Sequence, residues 1–175
     1  MTGVQTCALP ISSDETLRRI NRGHTLSDYI KCMERLHKRG IKVCTHVILG
    51  LPGEEREDFI ETAKVLNKVG SEGVKIHNLH IPGGTNMAEE YLEGEITSWS
   101  TERYMNEVEY FLRLLNPEMI IERLVCETPS HRLMAPRHFM DKSLFLRTLN
   151  DKMEKDNTRQ GDLYEGWRSH NRCSC

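Results

Sequence analysis

The sequence lacks the features that would place it in a specialised class of protein. Its longest apolar stretches are about five residues, whereas a membrane-spanning helix needs roughly 20. Neither sign of charge dominates, because 24 basic and 26 acidic residues leave a net charge of −2. That balance excludes a general attraction to nucleic acid or to an anionic membrane. The apolar fraction of 38% is too high for a disordered chain, so 175 residues predict about one soluble domain with one core.

The sequence also lacks any recognisable disulfide or zinc pattern. No Cys-x-x-Cys occurs, and no two cysteines have the spacing of a zinc site. The thiols are scattered, and three of them lie in apolar segments, which is typical of reduced cysteines in the cytoplasm. We therefore predict a cytoplasmic protein and an ordinary Cys-Ser-Cys tail. The six cysteines are Cys7, Cys32, Cys44, Cys126, Cys173 and Cys175.

The first eleven residues, MTGVQTCALPI, show no charge and no helical or strand periodicity. They are too short for a signal peptide and have no basic start. We interpret residues 1–11 as a non-native, adapter-like segment outside the fold. A native disordered terminus is the alternative.

The remaining sequence alternates between helical and strand patterns. Ser12-x-x-Glu15 has the spacing of a capping box and predicts a first helix. On the last predicted helix, Leu146, Leu149 and Met153 share one side. Apolar spacing predicts further helices at about 26–39, 55–69, 86–93, 101–115 and 142–154, and β-branched runs predict strands at 41–49, 74–81 and 119–125.

The order of these elements predicts an α/β fold. The first two predicted strands begin 33 residues apart with a helix between them, which implies a right-handed crossover connection and parallel pairing. About 30 residues for each strand–helix unit is typical of a (β/α) barrel of the triosephosphate-isomerase (TIM) kind. Three strands cannot close a barrel, so the chain is either part of a larger barrel or a small open sheet.

Four short blocks carry a resemblance to a known family. They are Asn21-Arg22-Gly23-His24-Thr25, the segment 44–54 (CTHVILGLPGE), the segment 75–80 (KIHNLH) and Gln160-Gly161. In this order they resemble the radical SAM enzymes, most closely the YhcC-like family, which is related to elongator-like and coproporphyrinogen-oxidase-like members. The resemblance covers residues 12–162. It implies the C-terminal half of a TIM-like radical SAM barrel over 12–116, a C-terminal extension over 117–162 and a flexible tail over 163–175.

The resemblance also implies a function. Radical SAM enzymes hold a [4Fe–4S] cluster with a Cys-x-x-x-Cys-x-x-Cys loop and use S-adenosyl-L-methionine to generate a 5′-deoxyadenosyl radical. This sequence contains no such triplet. It is therefore interpreted as a C-terminal fragment whose cluster ligands belong to a missing N-terminal half, and it is expected to be inactive by itself. The substrate stays unknown, and the elongator-like members suggest transfer RNA.

Four residues match cofactor-binding positions of the family. The resemblance assigns Arg22 to the carboxylate of S-adenosylmethionine, His46 to its ribose hydroxyls, and Ile48 and Leu79 to its adenine. Strand alternation independently turns His46 and Ile48 away from the Val43, Val47 and Leu49 side and into the barrel. A solvated arginine, a core histidine and core aliphatic side chains are the structural alternatives.

Two other functions stay open at this stage. Basic residues on and after the second helix could bind RNA phosphates, either in a stand-alone RNA-binding module or in one associated with tRNA modification. They are Lys31, Arg35, Lys38, Arg39 and Lys42, joined by Trp167, Arg168 and Arg172 in the tail. A small open α/β binding protein is the second alternative. Metal binding by His77 and His80 is not expected, since the two fall on opposite faces of one strand.

Overall fold

The computed structural model describes residues 13–165. The segment 1–11, Ser12 and the tail residues Trp167, Arg168 and Arg172 lie outside this range, as does the Cys-Ser-Cys end. The helices are α1 (Asp14–Arg19), α2 (Leu26–His37), α3 (Arg56–Val69), α4 (Asn86–Glu93), α5 (Thr101–Leu114) and α6 (Lys142–Lys155). The strands are β1 (Cys44–Leu49), β2 (Gly73–Asn78), β3 (Ile81–Pro82), β4 (Ile120–Arg123) and β5 (Leu133–Ala135).

Local signals explain where the helices begin and end. The first helix is capped by Ser13, whose Oγ accepts a hydrogen bond from the Thr16 N–H at 3.2 Å. Helix α2 starts with a capping box between Thr25 and Asp28. Helix α3 ends at Gly70, which adopts the left-handed conformation with φ of +71°. The predicted helices are therefore found close to their predicted bounds.

The central sheet is parallel, with the strand order β1-β2-β4. This confirms the predicted α/β class with parallel pairing. In the register of β1 and β2, Ile48 lies opposite His77 and Leu49 lies opposite Asn78. The three strands form a partial, open sheet within residues 13–165, and their carboxyl ends meet at one edge.

The structure differs from the sequence prediction after Asn78. The strand predicted over 74–81 is divided, because β2 ends at Asn78 and Ile81–Pro82 turns away to pair antiparallel with β5. Pro82 has no N–H to continue a parallel ladder. We call the β3–β5 pair the ribbon. Strand β5 was not predicted, since three residues carry no usable periodicity.

The core lies between one face of the sheet and helices α2, α3, α5 and α6. Val43, Val47 and Leu49 of the first strand region are each 1% exposed, which confirms the alternation predicted for this strand. They pack in one cluster with Phe59 of α3 and Phe111 of α5. This burial removes apolar surface from water at about 25 cal/mol per Å².

Helix α6 packs against the core through Leu149 and Met153, as predicted, but with Phe145 in place of Leu146. Phe145 and Leu149 are buried at 0% and 2% exposure, whereas Leu146 is 38% exposed. The prediction that Leu146 belongs to the packed side is therefore wrong. Positions 145 and 149 are one helical turn apart, and the Phe145 ring contacts the rings of Tyr104 and Phe139. The aromatic partners on other elements, which the helix pattern does not contain, select this face.

The Gln160-Gly161 block forms hydrogen bonds that connect the end of the described chain to the end of α5 and the residues after it. The Gln160 amide donates to the carbonyl oxygens of Asn116 and Met119, both at 2.8 Å. Gly161 has φ of +81°, and its N–H donates to the Leu112 carbonyl at 3.1 Å. A Cβ on Gly161 would lie 2.8 Å from Cδ of Pro117. This block therefore requires glycine for both conformation and space.

Replacing Gly161 with alanine is expected to lower the free energy of unfolding by about 2 kcal/mol more than Gly94→Ala does. Gly94 also has a positive φ, of +80°, but a Cβ there meets nothing within 4 Å. Both substitutions place an alanine in the left-handed conformation and therefore introduce the same backbone strain. The difference between their losses of stability then measures the contact with Pro117 alone. Urea unfolding of the two variants measures it. Equal losses of stability would contradict the close approach of Gly161 to Pro117.

Candidate functional site

The sheet face opposite the core carries the polar side chains of the strands. We call this the inner face, and its residues are His46, Ile48, Lys75, His77 and Glu122. Strand alternation places them there, because their neighbours Val47, Val74 and Ile76 point into the core. A face that combines two imidazoles, an ion pair and an aliphatic side chain has the composition of a ligand site.

The two histidines of the inner face stack on each other. The rings of His46 and His77 have centroids 5.4 Å apart and planes inclined by 23°. Burial lowers the pKa of His77 to about 4. Electrostatic repulsion by the protonated form of His46 and by Arg123 adds to this effect. Burial also lowers the pKa of His46, with Lys75 contributing. Both imidazoles are therefore neutral at pH 7, and each presents one donor and one acceptor nitrogen.

His77 has an unused hydrogen-bonding atom. Its Nε2 is buried, and it has no partner within residues 13–165. A buried polar atom without a partner costs about 1–3 kcal/mol, which a bound ligand with a hydroxyl group would recover. Sequence reasoning considered His77 only as a metal ligand and missed this role. The sequence did contain a signal for it. Lys75 and His77 lie two residues apart on β2, just as His46 and Ile48 do on β1, so each pair shares one side of its strand.

An ion pair borders the histidines on the β4 side. Lys75 Nζ lies 3.0 Å from a carboxylate oxygen of Glu122. The hydrogen bond from Lys75 lowers the pKa of Glu122, and the Lys75 side chain is only 12% exposed. The pair is brought together by the register irregularity between Val74 and Lys75 in the β2–β4 ladder. It keeps a positive charge beside the two imidazoles.

The other end of the inner face is apolar. Ile48 and Leu79 both pack against a small cluster formed by Leu17 of α1 and Leu51. The structure thus brings together the two residues that the resemblance assigns to adenine. Arg22 is exposed just after α1, where its backbone N–H donates to the Leu17 carbonyl at 2.8 Å. The cofactor contacts of Arg22, His46, Ile48 and Leu79 stay predictions.

The Gly50-Leu51-Pro52-Gly53 turn is closely packed. Gly50 has φ of +92°, and a Cβ there would approach the Trp99 ring to 3.1 Å. Behind the turn, Glu54 is 5% exposed. Burial, together with the nearby carboxylate of Asp58, raises the pKa of Glu54 to about 8. The turn therefore covers a carboxyl group that is mostly protonated at neutral pH.

A second polar network lies at the carboxyl end of β2. The Asn78 Oδ1 accepts from the Cys126 N–H at 3.1 Å, so its amide nitrogen faces His80 Nε2 at 2.8 Å. Since that amide nitrogen can only donate, His80 Nε2 accepts and Nδ1 carries the proton toward Thr128 Oγ1, at 2.6 Å. Burial raises the pKa of the Cys126 thiol and lowers that of His80. A neutral thiol and a neutral imidazole make this network a structural connection rather than a nucleophilic site.

The predicted family uses a [4Fe–4S] cluster and S-adenosylmethionine, and the described residues suit only the second of these. Within residues 13–165, no three histidine, cysteine or acidic side chains are grouped closely enough to hold a metal ion. The cysteines Cys32, Cys44 and Cys126 form no disulfide bond and lie on three separate segments: on α2, on β1 and after β4. This part of the chain therefore does not fit a [4Fe–4S] cluster. The inner face does fit an adenosine group, since it pairs a partnerless Nε2 with an adjoining aliphatic surface.

Comparisons with known proteins agree on one family. The sequence profile of the radical SAM superfamily matches residues 7–66, and that of the radical SAM C-terminal domain matches residues 71–155. The uncharacterised protein MJ0486 of Methanocaldococcus jannaschii is 39% identical over 148 residues, which cover 84% of this chain and 46% of that protein. The protein YhcC of Escherichia coli is 35% identical over 128 residues, covering 73% of this chain and 41% of the relative. The chain spans about half the length of the curated relatives it matches.

Two further similarities concern function and fold. A tRNA-2-methylthio-N(6)-dimethylallyladenosine synthase of Dictyoglomus thermophilum is 31% identical over 118 residues, or 66% of this chain and 26% of that protein. The structure of an N-terminally deleted Elp3 from Methanocaldococcus infernus superposes with a TM-score of 0.75 at 23% identity, covering 86% of this chain and 35% of that one. The second similarity concerns the fold alone. Among the helices of residues 13–165, none is long and apolar enough to cross a membrane.

Proposed function

Since the chain belongs to the radical SAM superfamily and to its YhcC-like family, we propose that its inner face binds the adenosine portion of S-adenosylmethionine. The observation that carries this proposal is the buried, partnerless Nε2 of His77, stacked beside His46 and next to the Ile48–Leu79 surface. Neutral imidazoles suit ribose hydroxyls, which both donate and accept. An aliphatic surface suits the face of a purine.

Each residue has a separate part in this proposal. His77 Nε2 and His46 hold the ribose hydroxyls, Ile48 and Leu79 contact the adenine, and Arg22 pairs its planar guanidinium with the methionine carboxylate. Burial is the main reason why the pKa values of both imidazoles are lowered, and the ammonium group of Lys75, paired with Glu122, adds to this effect. S-adenosylmethionine supplies the 5′-deoxyadenosyl group from which radical SAM enzymes form their radical.

The domain division and the substrate are also proposals. We propose a barrel part over residues 12–116 and an extension over 117–162, within an enzyme longer than this chain. Strand β4 of the extension pairs with β2, so the two parts share one sheet. Among the relatives, a tRNA-modifying synthase supports transfer RNA as the substrate.

We expect His77→Ala and His46→Ala each to weaken binding of S-adenosylmethionine by about 1–3 kcal/mol, or roughly 5- to 150-fold. Isothermal titration calorimetry with this chain measures the affinity, and Arg22→Ala tests the carboxylate contact in the same way. The matched control is His37→Ala. His37 bonds to Glu72 at the amino end of β2, which is the opposite end of the sheet from the proposed site.

An unaltered affinity in both His46→Ala and His77→Ala would reject the assignment of the inner face. A loss in His37→Ala as large as that in His77→Ala would also reject it, because the effect would then not depend on the site. Failure of the unaltered chain to bind S-adenosylmethionine would contradict the proposal as a whole.

A further inference from the structure

A cavity of about 510 Å³ lies against the ribbon, at the carboxyl end of the sheet. We call it the ribbon pocket. Its polar lining comes from Ser130, His131, Arg132, Arg137 and His138, and Gly83 forms part of its wall. No acidic residue lines the cavity. The cavity therefore combines two arginine guanidinium groups with two imidazole rings in a chain whose net charge is −2.

The charges of the ribbon pocket are not neutralised within the protein. Within residues 13–165, none of its four basic side chains forms an ion pair with a carboxylate. Other basic residues of the chain do, and Arg56 with Glu107 and Arg113 with Asp162 are examples. Positive charge that a structure concentrates without a counter-charge creates a potential that attracts anions.

One arginine of the pocket is already held in position. The Arg137 Nε donates to the Met134 carbonyl at 3.2 Å, and one terminal nitrogen contacts the Met134 sulfur at 3.8 Å. Its other terminal nitrogen makes no hydrogen bond within the part of the chain that the structure describes. A guanidinium fixed at one edge loses less conformational freedom when its remaining donors bind a ligand. This arrangement suits the planar, bidentate recognition of a phosphate group.

The basic stripe on α2, which the sequence offered as an RNA contact, is a weaker candidate. There, the pKa of Asp28 is lowered mainly by its hydrogen bonds to Thr25, and the nearby charge of Lys31 adds to this effect. The Arg39 guanidinium is used to bond the Arg35 carbonyl at 2.9 Å. Glu34 interrupts the same helix face. The positive charge of this stripe is therefore partly compensated and is not gathered around a cavity.

The form of the ribbon pocket favours a polymer over a single phosphate. Its four basic side chains are all exposed, two of them before strand β5 in the chain and two after it. Because they are exposed, they can contact a ligand that extends beyond the cavity. Imidazole rings and guanidinium planes can also stack on unpaired bases. Successive phosphates bound by separate arginines are the usual way in which proteins follow a nucleic-acid backbone.

The pocket is also fixed relative to the candidate cofactor site. The ribbon begins at Ile81, shortly after β2 ends, and the Gly83 N–H bonds to the Arg132 carbonyl at 2.9 Å. The hydrogen bond between His80 and Thr128 connects the same two segments. A ligand in the ribbon pocket would therefore lie next to the carboxyl ends of the strands.

We propose that the ribbon pocket binds the phosphodiester backbone of unpaired RNA. The proposal gives a binding surface to the RNA substrate proposed above and in that respect rests on the proposed function. It does not rest on the cofactor site, since none of the pocket residues belongs to the inner face. Arg132 and Arg137 contact phosphates, and His131 and His138 stack on or bond to the adjacent nucleotides.

The test measures binding of a fluorescein-labelled, single-stranded RNA 12-mer to this chain by fluorescence anisotropy at several salt concentrations. The variant Arg132→Gln/Arg137→Gln is expected to bind at least tenfold more weakly. It should also reduce the slope of log K against log salt by about 1.4, since each of the two lost phosphate contacts on a single strand contributes about 0.7. The matched control is Lys31→Gln/Lys38→Gln on α2, which makes the same change in net charge. It is expected to keep the affinity within about twofold. Unchanged circular dichroism and melting temperature establish that both double variants fold.

Three results would overturn the proposal. The first is no binding of the RNA by the unaltered chain at low salt. The second is an equal loss in the pocket and α2 variants, which would indicate attraction by net charge alone. The third is displacement of the RNA by uridine 5′-monophosphate at a concentration near the dissociation constant of the RNA, because the pocket would then be a site for an isolated phosphate.

Discussion

Phe145→Ala is expected to lower the free energy of unfolding by about 3–5 kcal/mol. The Phe145 side chain is fully buried, at 0% exposure. Its ring centroid lies 5.6 Å from that of Tyr104 and 6.0 Å from that of Phe139, so its loss removes two aromatic contacts and leaves a cavity. The surrounding side chains come from α5 and α6 and from the loop before α6, and they cannot all move inward to fill it.

The adjacent residue provides the control for this prediction. Leu146 is 38% exposed on the same helix, and Leu146→Ala is expected to change the free energy of unfolding by less than about 1 kcal/mol. Chemical denaturation of both variants, followed by circular dichroism, gives the two values. A loss in Leu146→Ala as large as that in Phe145→Ala would show that Leu146, rather than Phe145, is the residue of this turn that α6 packs into the core.

Glu54→Gln is expected to stabilise the protein above neutral pH and to flatten the dependence of its stability on pH. The folded state holds the pKa of Glu54 at about 8, well above its ordinary value of 4.5. The unfolded chain therefore loses the Glu54 proton at a lower pH than the folded chain does. The contribution of Glu54 to the free energy of unfolding is fully present below about pH 4.5, and it is lost as the pH rises toward 8.

The size of this effect follows from the shift in pKa. Each unit corresponds to about 1.4 kcal/mol, so the contribution of Glu54 changes by on the order of 4 kcal/mol across this range. Glutamine has nearly the same shape and does not titrate, so the variant avoids the cost of burying a charge beside Asp58. Unfolding free energies at pH 5 and pH 8 measure the difference for the unaltered chain and the variant.

Glu57→Gln is the control, because Glu57 is exposed in the first turn of α3. It should leave the difference between pH 5 and pH 8 as it is in the unaltered chain. If Glu54→Gln also keeps that difference, the titrating group lies elsewhere and Glu54 is not protonated in the folded state at neutral pH.

Much of the fold could be predicted because its signals are local. Helix α3 was predicted within one residue at its start, since its apolar period and its terminal glycine are both contained in the segment itself. The two-residue period of β1 was enough to place Val47 and Leu49 on one face of the sheet and His46 and Ile48 on the other. Parallel pairing followed from the spacing of strands and helices, since short crossovers have one preferred hand. The family resemblance likewise rested on short blocks of consecutive residues.

The candidate site could be predicted only in part from local sequence signals. The alternation in β1 was enough to turn His46 and Ile48 away from the core, whereas His77 was considered only as a metal ligand. The stacking of His46 on His77 and the partnerless Nε2 of His77 depend on the register between the strands, which sets Ile48 opposite His77. A one-residue slip of β2 would have turned His77 into the core. Register is a relation between two segments, and neither segment specifies it alone.

Local sequence patterns were sufficient to predict the helices and to tell which residues of β1 face the core, because those properties depend on neighbours within one or two turns of chain. They were not sufficient for the end of β2 or for β5. Only the tertiary structure decided that Asn78 bonds to Cys126, that His80 bonds to Thr128, and that Ile81 pairs with Ala135 to form the ribbon. The first two contacts each join residues 48 positions apart. Such contacts form when packed elements bring distant segments together, and no periodicity in the chain records them.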